Sequence, residues 1–221
     1  MTRKLLPLLF AGSLLAACGG GAEGVEVEAT DAVEGAAPVG PATVYNVSAA
    51  ESQVMWTGSK LVGGDHKGTI NVTDGRLAVQ GDDITAGDFV LDMTSLTVTD
   101  LDEASGKSKL ETHLKNEDFF QVDQHPQAKF TITSVEAVAG DATTTHRLTG
   151  NLEMKGVSKS ITIPANVQVT DTEITATTPP FEIDRNDWGV KYGSGSIAGI
   201  AQDNIINDDV VLVINLKAAR G

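Results

Sequence analysis

From Thr43 onward, apolar residues recur at every second position, the period at which successive side chains of an extended strand face opposite ways. Val54 and Trp56 share one face of Gln53–Lys60, with Met55 on the other. Ile70, Val72, Leu77 and Val79 follow, interrupted by Asp74-Gly75, a dipeptide that predicts a hairpin turn. Phe89, Leu91 and Met93 share a face, and Asp92 lies opposite. Phe130 and Ile132 alternate with Thr131 and Thr133; Leu148, Gly150, Leu152 and Met154 alternate with Thr149, Asn151, Glu153 and Lys155. Ile161, Ile163, Ala165, Val167 and Val169 form a further stripe, continued by Ile174 and Ala176 past a turn near Asp171. Phe181 and Ile183 open another strand. Asp209–Lys217 is apolar on both faces apart from Asn215, which predicts cover on both sides.

One stretch departs from this period. Ser108-Lys109-Leu110-Glu111 reads as a capping box, with Leu110 and Leu114 one helical turn apart. Asn116 is placed to start a second turn presenting Phe119 and Phe120. Two short helices are therefore predicted among the strands. Strands at short spacing, separated by polar turns, define an all-β antiparallel fold, either a barrel or a sandwich. Small inward positions (Gly150, Ala165, Ala176) favour a barrel of about eight strands with room for one slim ligand.

The N-terminus is different in kind. Arg3 and Lys4 precede an apolar run, Leu5 to Ala17, that contains Pro7 and falls short of the roughly 20 residues of a membrane-spanning helix. Residues 1–17 read as a signal peptide. Leu15-Ala16-Ala17-Cys18 resembles a bacterial lipobox, so Cys18, the single cysteine, is expected to carry a lipid. The exported domain then folds without disulfides. Gly19 supplies no acidic retention signal, which favours the outer membrane over the inner one within a periplasm-facing cell envelope location. Residues 18–42 follow as a tether rich in Gly, Ala, Val and Glu, with Pro38 and Pro41, and are expected to be disordered. As a coil, the segment after Cys18 reaches roughly 25–30 Å. The folded domain then occupies residues 43–219.

The formal charge of −14 argues against nucleic acid and anionic surfaces as partners. His66, His113, His125 and His146 form no close metal-ligating pair. Gly193-Ser194-Gly195-Ser196 misses the spacing of a nucleophile elbow. Arg185 and Asp187 read as a strand-end ion pair. No catalysis, metal or cofactor is expected.

Ordered blocks carry a family resemblance. His113-Leu114, Asp118-Phe119-Phe120-Gln121-Val122, Pro126 and Phe130 resemble the signature of the YceI-like, polyisoprenoid-binding domain. Trp56-Thr57-Gly58, His66-Lys67-Gly68, Asp92-Met93-Thr94-Ser95-Leu96, Leu152 to Lys159, Ile183 to Val190 and Asn207-Asp208-Asp209-Val210 agree in order, over about Val44 to Ala218. Gln121 stands where that family usually has an acid, and Trp188 where it usually has Phe, which implies a narrower cavity at that end. The resemblance implies an extended, lipocalin-like antiparallel barrel holding an isoprenoid or other long-chain lipid. Candidate lining residues are Trp56, Phe89, Leu91, Met93, Phe119 and Phe120, with Phe130, Ile132, Leu152, Met154, Phe181 and Trp188. Burying ten methylene-sized units contributes roughly 8 kcal/mol before ordering costs, enough for micromolar affinity without a charged contact. Such a protein would carry or sequester its lipid at the membrane. The alternative is a structural or partner-binding envelope lipoprotein whose barrel is filled by these same side chains. Oligomeric state is left open, with a homodimer among the candidates.

Overall fold

The computed structural model describes residues 24–35, 41–140 and 143–221. Twelve strands form one sheet that closes on itself. Two two-residue strands, β1 (Val25–Glu26) and β2 (Thr30–Asp31), precede the wall. The wall then runs through β3 (Thr43–Val47), β4 (Gln53–Lys60), β5 (Asp65–Gln80), β6 (Asp83–Val98), β7 (Gln127–Ala137), β8 (His146–Met154) and β9 (Val157–Val169). It ends in β10 (Glu173–Thr177), β11 (Phe181–Asp184) and β12 (Ile206–Arg220). β3 and β4 lie end to end along β5, and β10 and β11 lie end to end along β12, so the ring has about eight staves. β12 closes it, pairing antiparallel with β3 and β4 on one side and with β10 and β11 on the other.

The two broken staves are stitched by hydroxyls. Between β3 and β4, the Ser52 Oγ donates to Lys217 O at 3.2 Å and accepts from Lys217 N at 3.0 Å. Between β10 and β11, where Pro179 and Pro180 cannot donate, Thr178 N donates to Ile214 O and Thr178 Oγ1 accepts from Ile214 N. β12 therefore keeps its hydrogen bonds across both breaks.

Asp74-Gly75 does not turn the chain. Both residues lie inside the continuous 16-residue β5, at a register shift against β6. A Cβ on Gly75 would sit 2.8 Å from Asp88 O, so the glycine permits a bulge that bends a long strand around the barrel. The hairpin turns instead at Gly81, in the left-handed region at φ 63°.

A single helix, α1 (Lys107–Lys115), lies between β6 and β7. The expected capping box is absent: Gly106 occupies the N-cap with no side-chain bond. Glu111 turns outward to the wall, accepting from Thr97 Oγ1 at 2.6 Å and Val98 N at 2.8 Å, and so latches α1 to the end of β6. The second expected helix is a run of turns, although the Asn116 carboxamide does cap it by accepting from Asp118 N at 2.8 Å.

Residues 24–35 also differ from expectation. Rather than a free coil, they form a strap on the outer wall. β1 pairs parallel with β11, β2 pairs antiparallel with β9, and Asn151 on β8 bonds both the amide and the carbonyl of Val33. The strap crosses where β9 and β11 part, and Val27 is buried in the core there. Local composition marked the segment as unable to order itself; a seam in a distant wall supplies the apolar surface it lacks. Cys18 and residues 1–17, the expected signal peptide, lie outside the described residues.

Candidate functional site

Alternation turns one face of every stave inward, and those faces do not fill the barrel. They enclose a cavity of about 1080 Å³, just above the roughly 300–1,000 Å³ typical of small-molecule sites. Its wall extends from Ile84 and Leu216 near one end to Tyr192 and Ile206 at the other. Eleven of the twelve side chains singled out from the sequence stand on this wall: Trp56, Phe89, Leu91, Met93, Phe119, Phe120, Phe130, Ile132, Leu152, Met154 and Phe181. The twelfth, Trp188, does not. It is fully buried in a 3₁₀ turn after β11, and its indole N–H donates to Leu152 O at 2.9 Å. The narrowing expected from tryptophan in place of phenylalanine thus has no cavity wall to act on.

Small residues serve two purposes here. Ala165 and Ala176 face the cavity and leave it wide. Gly150 leaves no void: a Cβ there would lie 2.5 Å from Cζ of Phe130, so the ring rests on the bare backbone of the neighbouring strand. Gly68 receives the Trp56 ring in the same way, at 2.4 Å from a Cβ. Phe130 also stacks with Phe89 across the β6–β7 pair, ring centroids 6.3 Å apart. The aromatics are thereby held against the wall instead of collapsing into the space. Further wall positions, Ile161, Ile163, Val167, Val210, Leu212 and Ile214, belonged to stripes read from the sequence, but nothing in the alternation separates a cavity wall from a filled core.

Polar groups gather at one end. Ser59, Lys60, His66, His113 and Asn204 border the cavity where the β4–β5 loop, α1 and the β11–β12 connection meet. His113 Nε2 lies 3.0 Å from Asp118 Oδ2, and its ring packs edge-on against Phe119 at 5.0 Å and Tyr192 at 4.8 Å. Deeper in, the Trp56 Nε1–H is buried without a partner among the described residues. No period marks Tyr192, Ile197 or Asn204, because the connection that carries them is irregular apart from short 3₁₀ turns such as Gln202–Asn204.

That loop hangs on Arg185. Its guanidinium donates through Nε to Asn207 O (3.1 Å) and through Nη1 to Val190 O (2.7 Å) and Tyr192 O (2.9 Å). Nη2 reaches Ile206 O and Asp208 Oδ1, both at 3.1 Å. The ion pair is with Asp208, not with Asp187 as the spacing suggested, because the 3₁₀ turn carries Asp187 away while β12 brings Asp208 in. Burial pushes the Arg185 pKa down, partly offset by Asp208 and Asp184, and the group still stays charged in the ordinary pH range. Among the described residues, no group of three or more His, Cys, Asp or Glu is placed to hold a metal ion.

An eight-stave barrel, a helix over one end and an apolar interior agree with the sequence pattern of the YceI-like domain, which matches residues 45–218. The chain belongs to the YceI-like family. It is 29% identical over 100 residues to a UPF0312 protein of Pectobacterium atrosepticum, covering 45% of this chain and 47% of that one. A UPF0312 protein of Pectobacterium carotovorum is 30% identical over 76 residues, covering 34% and 38%. The chain thus spans about half the length, or less, of the curated relatives it matches. Two solved structures share its fold. BcnA of Burkholderia cenocepacia is 21% identical, with a TM-score of 0.60 over 78% of this chain and 99% of its own. A polyisoprenoid binding domain from Saccharophagus degradans is 20% identical, with a TM-score of 0.61 over 81% and 99%. The YceI-like barrel of this chain therefore shares its architecture with both of these proteins.

Proposed function

We propose that this YceI-like protein is an envelope lipoprotein that holds one long apolar chain, of the polyisoprenoid or a related lipid class, as a carrier or sequestering protein. The supporting observation is the cavity of about 1080 Å³ with side chains from every part of the wall turned into it. Apolar walls reward length and shape in a guest more than its headgroup. The unpaired Trp56 N–H offers such a guest one donor for an oxygen atom. The filled-barrel alternative has no use for a volume of this size. Native mass spectrometry after gentle extraction tests the reading: a bound lipid of defined mass is the expected result, and a bare chain that also fails to take up a detergent-delivered polyprenol rejects it.

The proposal includes a lipid on Cys18 and residence in the envelope. Cys18→Ser is expected to move the protein out of the membrane fraction without altering its thermal unfolding. Unchanged partition of that variant contradicts the anchor.

A further inference from the structure

Seven large hydrophobic side chains are exposed among the described residues, and four of them belong to two loops at one end of the barrel. Leu61 and Val62 lie on the β4–β5 loop; Tyr192 and Ile197 lie on the β11–β12 connection; all four are between 43% and 58% exposed. The loops are joined by backbone bonds. Leu61 N donates to Ile205 O at 3.0 Å across the two loops, and Ile206 N donates to Gly193 O at 2.8 Å, closing the β11–β12 connection on the start of β12. Tyr192 and Ile197 also stand on the cavity wall, so the outer patch and the interior form one continuous apolar surface across the mouth.

We propose that this mouth docks on a lipid bilayer through these two loops. The inference rests on reading the cavity as a lipid site, and adds the surface through which its guest would enter. Charge narrows the choice of partner. Lys60 and Lys191 are exposed, directly precede the two tips, and have no ion-pair partner among the described residues. A lysine beside an apolar tip lays its stem along the hydrocarbon and its ammonium among phosphates. Nearby acids are already engaged, Asp65 with Lys67 and Asp100 with His66, while Asp203 on the β11–β12 connection is exposed. The charge of −14 argues against an anionic bilayer as a partner for the surface at large, and so confines any bilayer contact to this end, where Lys60 and Lys191 stand. A protein partner would meet the same tips, yet would have no need for continuity with the bore.

The single cysteine makes a position-specific test available. In the full chain carrying Cys18→Ser, Val62→Cys and, separately, Val44→Cys accept one environment-sensitive fluorophore each. Val62 lies outside the cavity wall, and Val44 is an exposed apolar control on β3, at the far end of the 16-residue β5. With vesicles of phosphatidylcholine and phosphatidylglycerol, the probe at position 62 is expected to brighten about threefold or more and to be quenched by lipid-borne quencher, while position 44 stays unchanged. Leu61→Ser with Lys191→Gln, added to the position 62 probe, is expected to weaken that response about tenfold in lipid concentration. Equal responses at 62 and 44, or none at 62, overturn the proposal. So does a response at 62 that follows protein concentration instead of lipid, which would identify a second copy as the partner. Uptake of a polyprenol delivered in detergent is measured on the same proteins. Its failure with vesicle docking intact rejects the cavity reading and leaves the docking surface standing.

Discussion

The wall of the barrel and the loop across its mouth are stabilised by different physics. Each stave is held by a ladder of backbone bonds on both sides and by an inward apolar stripe, so the loss of one contact is shared by many neighbours. The β11–β12 connection, residues 185–205, has few such supports. Its backbone carbonyls at Val190 and Tyr192 and the start of β12 at Ile206 and Asn207 converge on one guanidinium. A closed sheet can keep an open, dry interior because it does not rely on that interior for its hydrogen bonds. The loop that borders the interior has to be fastened from behind.

The sharpest way to break this contrast is Arg185→Ala, which takes the guanidinium away from four carbonyls, of which Val190 O is buried, and leaves the partly exposed Asp208 carboxylate with Ser194 Oγ as its remaining side-chain donor. It is expected to cost about 2–4 kcal/mol in chemical denaturation. Amide exchange should accelerate first in residues 189–205, with the β7–β8–β9 ladder following only at global unfolding. Wild-type-like stability would show that the loop has other support. A milder blow to the wall is Gly150→Ala, which drives a methyl into the Phe130 ring and its backbone neighbour Thr131. The expected cost is about 1–3 kcal/mol, together with reduced lipid uptake as the ring swings into the bore. An unchanged melting curve would mean that the ring does not rest on that glycine. The smallest effect lies at the latch between wall and helix. Hydrogen bonds from Thr97 and Val98 hold the Glu111 pKa below the ordinary glutamate value, with Lys107 and Lys115 adding to the shift. A lowered folded pKa stabilises the protein above the unfolded value, and that contribution fades as pH falls through the folded one. Glu111→Gln should therefore lower the melting temperature slightly at pH 7, by an amount that shrinks as the pH is taken below the ordinary glutamate range. A deficit that does not shrink on acidification would contradict the charged latch.

What could be read beforehand follows the same division. Period two exposed the wall, because each stripe from Val54 to Leu216 is a local pattern, and ordered family blocks supplied its closure. Asp74-Gly75 was misleading, since a turn and a bulge use the same dipeptide and only the partner strand, here Asp88 and Phe89, decides between them. From local sequence Glu111 reads as a helix cap, because its partners Thr97 and Val98 are supplied by another element. Val27 belonged to a segment too polar to fold alone, and its pocket exists only where β9 and β11 separate. Trp188 shared every property of a lining residue except position, which its bond to Leu152 sets. Local periodicity reports which face is apolar; it does not report whether the space behind that face is empty.

Lipid binding depends on that emptiness. Native mass spectrometry of the full protein with and without Phe130→Asp, both verified as folded, addresses it directly. A bound long-chain lipid on the wild type and none on the variant is the expected result, because a carboxylate on the wall desolvates at high cost beside hydrocarbon. Equal lipid content on the two proteins, or a wild type that accepts no guest at any lipid concentration, would contradict it.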